Sequence, residues 1–310
     1  MKHRLDLGAL PELGAPEVIR TSLPSSERIH GPTGLYFCAR GGVYGPGRDG
    51  ATALLFADGR DGRAHAPWPF VGGVALRWGP CVCFAFDDGE RIDVPGDVFA
   101  LASEAPVGVV LDRQLRALQY VDLAAREART VAKIDGGLER QVPGVMTVDA
   151  AGTRALVLDG HASGQVFLSE VNLTTGASTV VLGPLPARSW AVGSFGAHGE
   201  RVLIEQRFAP TRARVIHQSR SSHVLLELAF PQPMLRPVFL RRDVVAAVLS
   251  TEPLGLATYG PRDLYLIAIP GGTRRKLTDG GDVGGHPALH DGGLEVDAKE
   301  GVVRWSLPDR

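Results

Sequence analysis

The stretch Gln165–Leu182, QVFLSEVNLTTGASTVVL, decides how this chain is read. An apolar run with strand-like alternation reaches a polar hinge at Asn172, turns through Thr174, Thr175 and Gly176, and resumes as a second short strand, STVVL. The same phrase occurs as ALQYVDLAAREARTVAKI over Ala117–Ile134, hinged at Asp122, and as DLYLIAIPGGTRRKLT over Asp263–Thr278, hinged at Ile269 with Pro270. The first two hinges are 50 residues apart and the third follows after 97, close to two further periods. A period in the forties built of short strands is the mark of radially repeated four-stranded sheets, an all-β propeller, and not of a helical solenoid. The one helix-like stretch, Asp122–Arg129, aligns with the hinges of the other copies and is read as strand and turn.

Working outward, short Gly-containing turns mark the link between the first and second strand of each unit: HGPTG near Gly31, DAAGT at Asp149, GAHGE at Gly196 and HDGG at His290. These anchors place blades at about 24–67, 68–96, 97–138, 139–186, 187–235, 236–284 and 285 to the C-terminus. The second span is too short for four full strands, so six and seven blades both remain open and seven is favoured. The last unit supplies three strands, ending in GVVRWSL at Gly301–Leu307, while a strand-like segment, HRLDLGAL, opens the chain at His3. If this N-terminal piece completes the last blade, the ring closes without a long free sheet edge, and truncating residues 1–14 destabilises the whole ring. The 310 residues are read as a single domain, because closed all-β bodies exceed the usual domain size.

At this point the chain resembles the propellers of the TolB and tricorn type, which also precede the hydrolase domain of prolyl oligopeptidases. Their repeat runs from a Pro through a polar-Gly turn and a buried strand to an aromatic-rich strand, a hinge, a Gly-Gly turn and Arg-Leu-Thr. Pro287, Asp291 and Gly292 match the early part, and Leu264–Thr278 the later part almost residue for residue. The resemblance covers about Ala100–Arg310 and implies a fold; propellers of this kind host enzymes, scaffolds and receptors alike.

Composition narrows the partners. The chain is 44% hydrophobic and 22% charged with net charge −1, which fills a core but gives no bulk attraction to nucleic acid or anionic membrane. Only four of the 33 basic residues are Lys (Lys2, Lys133, Lys276, Lys299), a bias ascribed to genome base composition. Cys38, Cys81 and Cys83 are odd in number, and alternation puts Cys81 and Cys83 on one face, too close in sequence for an easy mutual disulfide. They read as core thiols in a reducing compartment. The first twenty residues lack the uninterrupted apolar stretch of a secretory signal, no 18-residue apolar run occurs, and a cytoplasmic setting is expected.

Strand parity locates the expected site. If the first strand of each blade starts at an upper face, the links between strands 2 and 3, and from each blade to the next, lie on that face too. The long loops read from sequence are of this class: Arg40–Gly50, Asp159–Gly164, Arg207–Ser222 and Ser250–Arg262. Long loops on a rigid ring are the usual carriers of binding residues. Residues expected just before each first strand rim the central channel: Arg28, Trp68, Asp97, Arg140, Arg188, Arg236 and His286. Converging guanidiniums repel one another unless an anion lies between them, so this mouth is a candidate for an acidic small molecule or peptide. Tyr44, His161, Arg207 and Tyr259 on the long loops would add contacts. The alternative for these arginines is exposed hairpin flanks in an Arg-rich chain.

The basic segment Arg207–His223 lacks interleaved aromatics beyond Phe208 and reads as a solvated loop with its edge strand, so no nucleic-acid partner is expected. His286 and His290 lie four apart, a spacing that in strand and turn does not put both imidazoles on one side, and no metal is expected. Neither GHASG nor VGSFG is a nucleophile elbow, and Walker, dinucleotide and HExxH patterns are missing, so no cofactor is expected. The function expected is non-catalytic binding of a small molecule, peptide or protein. The alternatives are a tailoring enzyme or lyase using His286 with Asp97, and a protein scaffold acting through the blade rims.

Overall fold

The computed structural model describes residues 10–20, 28–31, 34–39, 42–46, 52–57, 64–112, 114–134, 146–160, 165–185, 189–196, 199–208, 211–221, 223–230, 234–241, 243–250, 261–269, 271–281, 283, 287–290, 293–299 and 301–308. The three repeated phrases form antiparallel hairpins, each the third and fourth strand of its sheet: Ala117–Asp122 with Glu127–Lys133, Val166–Asn172 with Ser178–Leu182, and Arg262–Ala268 with Arg274–Lys276. Asp122 Oδ1 accepts the N–H groups of Ala124 and Ala125 at 3.0 and 2.9 Å, and Asn172 Oδ1 accepts those of Thr174 and Thr175 at the same distances. A short acceptor side chain at the hinge therefore fixes the turn.

The next residue is the internal anchor. Leu123, Leu173 and Ile269 are buried, and their N–H groups donate to Pro106, Thr153 and Asp243 carbonyls at 2.9, 2.8 and 2.8 Å, tying each hairpin to the first turn of its own blade. Ile269 thus occupies the place of Leu123 and Leu173. The hinge of the third copy is Ala268, one residue earlier than the sequence pattern suggests.

Seven four-stranded sheets follow one another along the chain. After β1 (Glu17–Arg20), blade I holds β2 (Arg28–Gly31), β3 (Gly34–Ala39), β4 (Gly42–Pro46) and β5 (Thr52–Ala57). Blade II holds β6 (Ala64–Phe70), β7 (Gly73–Trp78), β8 (Cys81–Phe86) and β9 (Arg91–Pro95). Blade III holds β10 (Val98–Leu101), β11 (Val107–Asp112), β12 (Ala117–Asp122) and β13 (Glu127–Lys133). Blade IV holds β14 (Met146–Val148), β15 (Arg154–Gly160), β16 (Val166–Asn172) and β17 (Ser178–Leu182). Blade V holds β18 (Ser189–Phe195), β19 (Arg201–Phe208), β20 (Thr211–Gln218) and β21 (Val224–Phe230). Blade VI holds β22 (Met234–Arg241), β23 (Val244–Ser250), β24 (Arg262–Ala268) and β25 (Arg274–Lys276). Blade VII holds β26 (Ala288–His290), β27 (Gly293–Ala298) and β28 (Gly301–Ser306), with β1 as its fourth strand.

The blade count is seven, and blade II is complete. Its first strand starts at Ala64, four residues before the sequence boundary, and two-residue turns at Val71-Gly72 and Gly79-Pro80 keep it short. Gly72 and Gly79 take φ of 90° and 57°, conformations that make such turns easy for glycine. The ring closes as expected, but through a different segment. Glu17–Arg20 runs antiparallel to β28, pairing Val18 with Val303 and Ile19 with Val302, whereas His3–Ala9 lies outside the described residues. Pro16 stands just before the strand, where its missing N–H is tolerated. Leu10 and Leu13 pack on the cluster between blades VI and VII, and Gly14 N–H reaches Ser306 O at 3.1 Å. A truncation of residues 1–14 therefore removes these contacts but leaves the closing strand itself.

The core lies between blades, not within them. One buried cluster joins β15 and β16 to β19 and β23, another joins β11 and β12 to β15 and β16, and a third joins β8 to β11 and β12. Each sheet buries both faces against its neighbours, which explains why second strands such as VVAAVLS and VGVVLD are buried throughout.

Candidate functional site

Antiparallel order fixes which connections share a face. Links between strands 1 and 2, and between strands 3 and 4, lie on the lower face, and none exceeds five residues. The longest connections are 134–145, 251–261 and 277–287, and all three join strand ends at the upper face. Two loops expected there are instead strand. Arg40–Gly50 contains β4, so the upper link is 40–41 and the rest belongs to the lower face. Arg207–Ser222 contains β20, leaving 209–210 as the upper link.

The predicted contacts distribute accordingly. Tyr44 lies within β4, not on a loop, with its ring stacked on Phe37 at 5.3 Å and 8°. Arg207 lies in β19 opposite Ser189 and Arg212. His161 and Tyr259 lie outside the described residues. Of the mouth residues, Asp97 directly precedes β10, half-buried, with its N–H on Leu111 O at 3.2 Å. Arg28 is the first residue of β2. Trp68 is not ahead of a first strand: it lies inside β6 opposite Ala75, because that strand begins earlier than its Pro-rich sequence suggests. Arg236 likewise lies inside β22, which starts at Met234. Arg140, Arg188 and His286 lie outside the described residues.

The basic segment is organised as a strand pair, not as a solvated loop. Arg214 pairs with Glu205, which is 1% exposed, and with Glu227 at 3.2 Å, while His217 is buried near the Phe239 ring. Such pairing neutralises part of the segment and leaves less charge for phosphate.

Several polar side chains of the lower face hold neighbouring blades together. Arg126, at the turn of blade III, pairs with Asp88 and Glu90 of blade II and covers the Phe86 ring at 4.5 Å. The Arg126 hydrogen bond holds the Asp88 carboxyl below its ordinary range. Arg201 of blade V meets Glu170 of blade IV at 2.7 Å and donates to Ser219 and Arg220 carbonyls, and Arg154 of blade IV covers Phe195 of blade V at 4.7 Å. Asp149 sits beneath Arg154. Burial alone would raise its carboxyl, but hydrogen bonds from the N–H groups and side chains of Thr153 and Arg154 win and hold it low.

On the upper face of blade VI the structure shows an ion cluster the sequence reading missed. Asp263 is fully buried; its Oδ1 accepts the Thr278 hydroxyl at 3.0 Å and the Gly281 N–H at 3.2 Å, and Oδ2 lies 2.9 Å from Lys276 Nζ. Lys276 also meets Asp279 at 2.9 Å. The bond to Asp263, then that to Asp279, raises the ammonium above the ordinary lysine range, so Lys276 is a fixed cation and not a base or amine nucleophile. The signal was present in the Lys-Leu-Thr-Asp run: Thr278 bridges Asp263 to the Leu264 N–H at 2.9 Å. Cys83 is equally unsuited to attack, because burial, then a hydrogen bond with Asp93, pushes its thiol up to about 12.

Neither a family model nor a curated protein matches the chain. Solved structures do. The tricorn protease superposes with a TM-score of 0.62 at 10% identity over 96% of this chain and 34% of its own. The β-propeller domain of the Trilobed protease from Pyrococcus furiosus gives 0.53 at 11% identity, over 77% and 79% of the two chains. Kuenenia stuttgartiensis hydrazine synthase gives 0.53 at 12% identity, over 74% and 71%. At these identities the likeness is one of fold, and this chain spans about a third of the tricorn protease.

Proposed function

We propose that this chain is a non-catalytic propeller that binds an acidic small molecule or peptide, or an acidic patch on a protein partner, through its upper face and channel mouth. The observation that carries the reading is the asymmetry between the two faces. The lower-face links hold at most five residues, and charges there such as Arg126 and Arg201 are engaged between blades, whereas the three longest connections join strand ends on the upper face. Arg28 at the start of β2 and Asp97 ahead of β10 stand on that face, and Arg188 immediately precedes β18 in the chain. The free thiols of Cys81 and Cys83 suit a cytoplasmic setting.

Titration of the intact protein with citrate and with a hexaglutamate peptide tests this. Saturable binding that weakens roughly tenfold in Arg28→Ala and Arg188→Ala, the size of one lost charge-assisted contact, supports it. Binding unaffected by both, or no binding of either probe, overturns it. Turnover abolished by His286→Ala would assign the face to catalysis instead.

A further inference from the structure

Blades III and IV meet along a shared apolar cluster that is tightest at the turn after β16. There, a Cβ on Gly176 would lie 2.3 Å from Val131 O, and Arg129 donates to Leu173 O across the same seam at 3.3 Å. Beside this contact the facing side chains are small: Ala132 on β13, and Ser169 and Ser178 on β16 and β17. The result is a cavity of about 290 Å3. Its blade IV wall is built in rows across the sheet, Asp159 with Phe167, Val157 with Ser169 and Val180, and Val171 with Ser178. Its blade III wall is the end of β13 with Ile134.

The chemistry of the walls is graded. Buried apolar side chains, Val157, Val171 and Ile134, line the cavity, with Val180, 53% exposed, at its solvent side. Two opposite charges line the cavity, each at the upper end of its strand and on facing walls: Lys133 closing β13 and Asp159 near the end of β15. Lys133 is exposed and makes no ion pair with any described residue. Asp159 is engaged within the protein, but a carboxylate offers about four acceptor sites, so a further donor can be taken. The volume is near twice the roughly 150 Å3 that accepts benzene and at the lower end of the ~300–1,000 Å3 range of ligand pockets, which suits a molecule of amino-acid size.

We infer that this inter-blade cavity binds an α-amino acid with an apolar side chain, its carboxylate on Lys133, its ammonium on Asp159 and its side chain between Val157, Val171 and Val180. This site is separate from the channel mouth and does not depend on the function proposed there.

Calorimetric titration of the full chain with L-leucine and L-phenylalanine tests the inference, against 4-methylpentanoate, 3-methylbutylamine and glycine, which lack the ammonium, the carboxylate and the side chain respectively. Saturable binding of leucine or phenylalanine is expected, weakened roughly tenfold or more in each truncated probe and in Lys133→Ala, restored in part by Lys133→Arg, and lost in Ala132→Leu. Lys133 is exposed, so its variants fold even if Ala132→Leu does not. No saturation by either amino acid up to about 10 mM, a range that covers weak affinities, overturns the inference. So does binding that Lys133→Ala leaves unchanged, or truncated probes that bind as well as the amino acids.

Discussion

Asp149 shows how a single side chain sets a turn. Its carboxylate accepts the Thr153 N–H and hydroxyl at 2.7 Å each, and the Arg154 N–H and Nε at 3.0 and 3.1 Å. These donors depress its folded pKa. Its contribution to stability is therefore present above the unfolded value of about 3.9 and is lost as pH falls through the folded value. Asp149→Ala should cost about 1–3 kcal/mol at pH 7, by leaving partly buried donors unmatched. Urea midpoints measured from pH 7 downward should show the gap to wild type narrowing below about pH 4; a constant gap would remove the ionised carboxylate from the account. Lys276 behaves oppositely: with its pKa raised, its stabilisation is intact below about 10.4 and fades as pH rises through the folded value. The turn at Asp149 was legible in DAAGT, because Asp and Gly there have few other uses. Arg154 and Arg201 as inter-blade staples were not, since both depend on which blade lies beside which.

At the scale of the element, the hinge hairpin was legible because its constraints are local. A buried residue after the hinge and a left-handed residue four positions on recur as Asp122-Leu123-Arg126, Asn172-Leu173-Gly176 and Ala268-Ile269-Gly272, with φ of 60°, 75° and 66° at the last place, and the first two hinges add a side-chain acceptor. The one-residue error at Ile269 arose because Ala268 carries no polar side chain to mark the hinge. The errors at Tyr44 and Trp68 share another cause. Gly- and Pro-rich stretches such as GGVYGPG and HAPWPF read as loop or boundary, yet tertiary pairing makes them strands. Gly176 gives the sharpest local test, since its positive φ and the nearby Val131 carbonyl both exclude a Cβ. Gly176→Ala should lose about 2–4 kcal/mol, combining left-handed strain with a backbone clash. Gly72→Ala, with φ of 90° but nothing within 4 Å, should lose only the strain, about 1–2 kcal/mol. Equal losses in thermal melts of the two variants would mean that the seam between blades III and IV does not depend on that close approach.

For the whole molecule, stability rests on a ring whose described blades pack against their neighbours and whose two ends meet through β1 and β28. That the ring must close was inferable from three strands in the last unit and a surplus at the N-terminus, but the strand chosen was not: HRLDLGAL alternates better than EVIR. What selects EVIR is placement, because Leu10, Leu13 and Gly14 are already held against blade VII and carry Glu17 into register with Arg304. A four-residue ladder is a short latch, and its release would expose the β28 edge. If opening at this latch is the first step of unfolding, a covalent bond across it should delay the loss of every blade. Val18 and Val303 stand directly opposite, so Val18→Cys with Val303→Cys places two thiols across the ladder. The native Cys83 does not compete, being fully buried with its thiol pushed up to about 12. The oxidised pair closes nearly the entire chain into a loop, and chain entropy then favours the folded state by up to about 5–6 kcal/mol. A higher melting temperature that a reductant returns to the wild-type value is the expected result. An oxidised protein that melts with wild type would place the first breach at another seam, and the melting behaviour of Gly176→Ala would then show whether that seam is the one between blades III and IV.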